Sequence, residues 1–157
     1  MAINKGSGIE NEKEVFVGLY DVRDGESSDT PFIRASFLNG VYYGDRCFTR
    51  IPKEIFMSNY KKVIDSLLTP GKAQIKVACL KDDPSTIIGY SILSNDFQTI
   101  HWVYVKQGDK NPERSWRNRG IGRSLVPKYP TAVTHLTKLG ETLLNKFPNL
   151  IYDPFRY

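Results

Sequence analysis

Arg117-Asn118-Arg119-Gly120-Ile121-Gly122 stands between an apolar run that ends at Val105 and a stretch, Arg123-Ser-Leu125, that can continue as a helix. Two glycines there let the backbone approach a ligand closely, because a Cβ would block the approach or forbid positive φ. A helix that opens at this point offers unpaired N–H groups and the positive end of its dipole. The combination cradles phosphates. Arg117, Arg119, Arg123 and Lys128 supply charge for the same anion. Two familiar phosphate loops are excluded. No Gly-x-x-x-x-Gly-Lys-Ser/Thr run exists, and a dinucleotide fingerprint needs a third glycine where Leu125 stands.

Working toward the N-terminus, Ile75, Val77 and Cys79 alternate with Lys76 and Ala78, and Lys81-Asp-Asp-Pro-Ser85 is a turn. Thr86 to Leu93 forms a second strand, Ser94-Asn95-Asp96 turns, and Thr99 to Val105 forms a third. Together they make an antiparallel meander. Before it, Phe56, Tyr60, Val63, Ile64 and Leu67 recur at helical spacing between Pro52 and Leu68, and Pro70-Gly71 stops that helix. Phe32 to Tyr43 reads as a short helix broken near Asn39-Gly40. Asp21 to Thr30 reads as a charged loop and Val15 to Tyr20 as a first strand. Residues 1–14 read as a loose tail ahead of one domain, 15–157.

Toward the C-terminus, Pro127 and Pro130 interrupt any long helix. An amphipathic helix is expected from about Thr134 to Lys146, with Pro148 ending it, and Leu150 to Tyr152 reads as a strand.

The whole chain has 157 residues, 40% hydrophobic and 25% charged, the composition of one ordinary globular domain. No apolar run approaches the ~20 residues of a membrane span. Cys47 and Cys79 make neither a disulfide framework nor a metal cluster, so a cytoplasmic setting and no metal are expected. Both read as small core residues. Twenty-two Lys+Arg against seventeen Asp+Glu give +5, which favours anionic partners without choosing among them.

One resemblance is specific. Arg117-x-x-Gly120-x-Gly122 after a meander is similar to the acetyl-CoA pyrophosphate loop of the GNAT N-acetyltransferase superfamily. Ile87-Ile-Gly89-Tyr90 and Val103-Tyr104-Val105 resemble the family's runs in the two preceding strands, and Pro112 and Trp116 its Pro and aromatic before the Arg. The likeness covers residues 73–125 well and the first third by element order. It implies an α/β (α+β) fold: a mixed, mostly antiparallel twisted sheet flanked by helices, with splayed fourth and fifth strands. The pantetheine arm would pair with Val103, Tyr104 and Val105. Arg117, Asn118, Arg119, Gly120, Ile121, Gly122 and Arg123 would hold the pyrophosphate. An amine would attack the thioester directly, and an N–H near Val105 would stabilise the developing oxyanion.

The C-terminal part departs from the family. If the last helix follows the fifth strand, Leu144 takes the place of the Tyr that protonates the thiolate, and Thr137 that of an Asn. Either Pro127 and Pro130 cut the third helix short, or the final helix and strand are absent and Leu150 to Tyr152 is strand five. The second is preferred, because Ala132 and Val133 make a thin strand. Tyr152 or Tyr157 would then substitute as acid.

His101, expected on one strand face with Val103 and Val105, is the candidate base; the alternative is a half-buried strand histidine. His135 is expected to cap or flank the last helix. Trp102 and Tyr104 are expected to pack against a helix, and Asp82-Asp83 and Asp96 to serve turns. Asp21, Asp24, Glu26 and Asp29 would attract a cationic acceptor, or simply face solvent. Three functions remain open: an acetyl-CoA-dependent N-acyltransferase acting on a small-molecule or protein amine, an inactive binding protein of the same shape, with a sheet-edge homodimer possible, and nucleic-acid binding through Arg114, Arg117, Arg119, Arg123 and Trp116. The last is disfavoured, because glycines amid those arginines suit a buried pyrophosphate better.

Overall fold

The computed structural model describes residues 18–108 and 115–157. The expected tail, Val15 to Val17, Pro112 and Arg114 lie outside them. Six strands run in the order β1-β2-β3-β4-β5-β6 along one sheet. They are β1 (Tyr20–Asp24), β2 (Gln74–Leu80), β3 (Ile87–Leu93), β4 (Thr99–Val105), β5 (Ala132–Val133) and β6 (Ile151–Tyr152). The first four are antiparallel neighbours, and β5 and β6 add in parallel. Helices α1 (Thr30–Gly44) and α2 (Lys53–Leu67) precede the meander; α3 (Ile121–Ser124) and α4 (Glu141–Lys146) follow it.

Helices cover both faces. On one side Ile33, Phe37 and Val41 of α1 and Phe56 and Ile64 of α2 bury Val77, Tyr90, Ile92 and Trp102. On the other, Ile121 and Leu125 close on Ala78 and Ile88, and Leu144 and Phe147 pack near Leu93, Ile100 and Val133. Each fully buried aliphatic side chain contributes about 1.5–3 kcal/mol.

The edge strand lies later than expected. Tyr20 to Asp24 pairs with Leu80 to Lys76, inside the segment read as a charged loop. Its polar residues have partners: Arg23 makes a bidentate pair with buried Asp29 (2.7 and 2.9 Å), Asp24 meets Lys76 at 2.5 Å and Asp21 meets Lys81 at 3.8 Å. Asp29 also accepts from the Glu26 N–H at 2.7 Å. These acids therefore build the α1 entrance and the strand edge, and Asp29 is unavailable to a cationic acceptor. Cys47 is exposed, not core.

Helix α1 runs unbroken through Asn39-Gly40. A Cβ at Gly40 would lie 2.7 Å from Trp102 Cζ2, so the glycine there admits the indole instead of ending the helix. Gly89 has a similar cause, with Tyr104 O at 2.8 Å and Leu125 Cδ1 at 3.2 Å from a notional Cβ. Ser91 Oγ donates to Leu125 O at 2.6 Å and locks α3 on the sheet.

The C-terminal third corrects the preferred reading. Ala132–Val133 is the fifth strand and Ile151–Tyr152 the sixth, so the short-third-helix alternative holds. The last helix is confined to Glu141–Lys146. Thr134 and His135 are drawn to β4 by hydrogen bonds to Ile100 O and His101 O, which removes them from any helix.

Candidate functional site

Two features of β4 shape the site. Leu93 faces Ile100 while Ile92 faces Trp102, which leaves His101 as the extra residue of a β-bulge. The bulge switches the alternation: Ile100 and Val103 share one cluster, Trp102 and Tyr104 the other. The expected common face for His101, Val103 and Val105 assumed unbroken alternation; Val103 and Val105 keep it, and the bulge interrupts it at His101.

The second feature is a fork. β5 pairs with β4 only at Thr99–Ile100, and Thr134 N donating to Ile100 O (3.1 Å) is the last backbone bond between them. Beyond it β4 continues to Val105 against β3 alone. Lys106 N donates to Ile88 O (2.8 Å), and the antiparallel phase this sets turns the N–H and C=O of Val103 and the N–H of Val105 to the open side. From His101 to Val105 that edge spans about 13 Å.

The glycine loop sits at the far end of this edge. Arg117 Nε donates to Val105 O at 3.1 Å, and Arg119 Nε to Ser115 O at 2.9 Å. Asn118 (φ +62°) and Gly120 (φ +84°) take left-handed conformations. Asparagine tolerates that region and glycine has no penalty there. Ile121 points inward and is 1% exposed, so its side chain anchors the loop. Among the described residues, no hydrogen-bond acceptor meets the N–H groups of Gly120, Ile121 and Gly122. A Cβ at Gly120 would meet nothing within 4 Å, so this side of the loop is open.

At the apex of the fork lies a polar cluster. His101, 4% exposed, has Nδ1 3.1 Å from Thr134 Oγ1. Its ring stacks on Tyr157, centroids 5.6 Å apart at 5°. His135 Nδ1 lies 3.0 Å from Thr134 Oγ1 and 3.2 Å from His101 O; its Nε2 lies 3.0 Å from Tyr60 Oη and 3.2 Å from Tyr157 Oη. Burial lowers the His101 pKa, pushes His135 down to about 4 and raises that of Tyr60.

No protein-family model matches the sequence, and no curated protein matches it. Solved structures do. A candidate acetyl transferase from Pyrococcus furiosus superposes with a TM-score of 0.52 over 85% of this chain and 81% of its own, at 18% identity. A candidate acetyltransferase from Clostridium difficile 630 follows at TM-score 0.43 and 16% identity, covering 85% and 76%. A GCN5-related N-acetyltransferase from Rhodopseudomonas palustris gives 0.43 and 17%, covering 68% and 61%. The chain shares its fold, a mixed and mostly antiparallel sheet flanked by helices, with the Pyrococcus furiosus structure, and that fold is GNAT-like.

Within this fold, the sequence-derived residues fall in two places. Arg117, Asn118, Arg119, Gly120, Ile121, Gly122 and Arg123 form the loop and α3, and Val103, Tyr104 and Val105 the edge it abuts. His101 marks the other end of that edge. Tyr152 stands on β6 and is 49% exposed. The residue that meets His101 is Tyr157. Leu144, on the helix between β5 and β6, is half-buried and packs against the cluster of Leu93, Ile100, Val133 and Leu150. Sequence reasoning missed Tyr60 and Thr134 and gave His135 only a capping role. No local signal marks them, because three separate elements bring them together.

Proposed function

We propose that this protein binds acetyl-CoA along the open edge of β4 and transfers its acetyl group to an amine. The observation that carries the reading is the fork. β4 loses its β5 partner after Thr134, and the unpaired stretch runs for about 13 Å to a glycine loop tied to Val105. The residues fit the group. Gly120 faces open space where a side chain would fill the cradle, and three successive amides lack acceptors among the described residues. Gly120, Ile121 and Gly122 would hold the pyrophosphate through those amides, with Asn118 and Gly120 shaping the turn. Arg117, Arg119 and Arg123 would add positive charge. Val103 would pair with the pantetheine amides, and the Val105 N–H would face the thioester oxygen.

Bound there, acetyl-CoA supplies an acyl group activated as a thioester. The chain's own residues align it and handle protons at the fork apex. His101 and Tyr152 are the proton-handling residues read from the sequence. His101 lines the apex with Nδ1 engaged by Thr134, and Tyr152 stands exposed on β6, next to the strand that forks from β4. A small-molecule or protein amine is the acceptor, and a reducing cytoplasm suits the two free cysteines.

A second reading, binding without turnover, is supported by Leu144, half-buried on the helix after β5, standing where the resemblance would place the Tyr acid. A thermal-shift series with acetyl-CoA, followed by thiol release across polyamines and lysine peptides, separates them. A ligand at ~100 times its dissociation constant adds about 2.7 kcal/mol. Stabilisation with thiol release supports acyl transfer, and stabilisation alone supports the second reading. No stabilisation overturns both.

A further inference from the structure

Two oxygens lie against His135 Nδ1: the His101 carbonyl at 3.2 Å, which can only accept, and Thr134 Oγ1 at 3.0 Å, which can accept as well, so a proton on Nδ1 satisfies both. A neutral ring has one such proton, and Nε2 therefore presents its lone pair. Two hydroxyls converge on it, Tyr60 Oη at 3.0 Å and Tyr157 Oη at 3.2 Å. One donor satisfies that lone pair. Tyr60 comes from the packed face of α2, stacked on Phe56, whereas Tyr157 is 66% exposed. Either hydroxyl can be that donor, and Tyr157 is the one of the two in reach of an arriving molecule.

We propose that Tyr157 and His135 form a proton relay at the apex of the β4–β5 fork, in which an acceptor amine gives a proton to Tyr157 Oη as the Tyr157 proton passes to His135 Nε2. The inference rests on the acyl-transfer reading above. In the exchange one N–H and one O–H bond break, and one O–H and one N–H bond form. The amine nitrogen keeps the electron pair that attacks the thioester carbon. The imidazolium retains Nδ1–H on His101 O, and its Nε2 proton leaves through Tyr157 to water. Tyr157 touches the acceptor and is the catalytic residue; His135 acts through it and is the positioning residue.

The titratable and charged groups around the pair come from every neighbouring element: His101 from β4, Tyr60 from α2, Tyr152 from β6, and Asp45 beyond α1, whose charge reaches Tyr60. Phe37 and Trp102 close the remaining sides with ring centroids 5.4 and 6.3 Å from that of His135. Burial among them keeps the imidazole neutral, with its lone pair available, throughout the neutral range.

The chain has two histidines, so 15N-histidine labelling gives two imidazoles to follow by NMR. The expected result is the Nδ1–H tautomer at His135, an imidazole that titrates below the ordinary ~6.5, and a displaced Nε2 resonance in Tyr157→Phe. An Nε2–H tautomer, or an Nε2 resonance untouched by Tyr157→Phe, overturns the relay without any turnover being measured. In the thiol-release assay with acetyl-CoA and spermidine or a lysine peptide, Tyr157→Phe is expected to lower kcat about 100-fold or more. Its acetyl-CoA thermal shift should equal that of the wild type. His135→Asn is expected to lower kcat and change the pH profile. An unchanged rate in Tyr157→Phe overturns the relay while leaving the acyl-transfer reading intact; a wild type that acetyl-CoA does not stabilise fails that reading instead.

Discussion

Replacing His135 by Asn is expected to remove most of the acid sensitivity of folding between pH 7.5 and 5.0. The folded imidazole is pushed down to about 4 by burial, whereas an unfolded histidine takes up a proton near ~6.5. In that window the unfolded chain binds more protons than the folded one, so stability is full above ~6.5 and is lost as pH falls toward 4. The loss at pH 5.0 comes to about 2 kcal/mol for this one residue, with a ceiling of about 3 kcal/mol. His101, also lowered by burial, adds in the same sense. Asp29, Asp65, Asp83 and Asp96 are held below the usual carboxylate range by hydrogen bonds and ion pairs, and their stabilisation fades mainly below about pH 4. Urea unfolding at pH 7.5 and 5.0 isolates the histidines. The wild type should lose about 2 kcal/mol or more between the two, a sizeable share of the 5–15 kcal/mol typical of a domain. His135→Asn retains an N–H for His101 O, loses some ring packing at both pH values, and should show a much smaller difference. Equal losses in wild type and variant would refute a buried neutral His135.

Gly40→Ala should destabilise by about 1–3 kcal/mol because its methyl would press on Trp102. At an open helix position the same change would stabilise by about 1 kcal/mol, so the sign of the denaturation shift tests the packing. Asp29→Asn should cost about 1–3 kcal/mol, since it weakens a bidentate, charge-assisted pair at a part-buried site. An unchanged urea midpoint would mean that pair is solvated. Gly120→Val should cost about 1–2 kcal/mol through its left-handed φ alone, since nothing crowds the position. Circular dichroism should therefore remain that of the wild type while the acetyl-CoA thermal shift disappears.

Where local pattern and tertiary structure agree, the sequence was readable. Phe56, Tyr60, Ile64 and Leu67 mark α2 between Pro52 and Pro70-Gly71, and the meander follows from alternation punctuated by Asp-rich turns. The glycine loop was visible because glycine spacing after a strand is itself a local signal. The misreadings have tertiary causes. β1 is an edge strand held by backbone pairing and by ion pairs to Asp29, Lys76 and Lys81, so its residues look like a polar loop. Gly40 looks like a helix breaker until the Trp102 indole occupies the missing Cβ space. β5 is two residues long and carries no period. The bulge at His101 inverts strand parity, a change set by the pairing with β3 and not by composition. Tyr60, His135 and Tyr157 lie 75 and 22 positions apart and are joined only by folding.

The most direct measurement is an amide 15N–1H NMR titration of the protein with CoA. The account predicts saturable shifts concentrated at Gly120, Ile121 and Gly122 and along Val103 to Val105, with β1 and α2 amides unmoved. Absence of shifts at those six amides at millimolar CoA, or shifts confined to another face of the sheet, would contradict it.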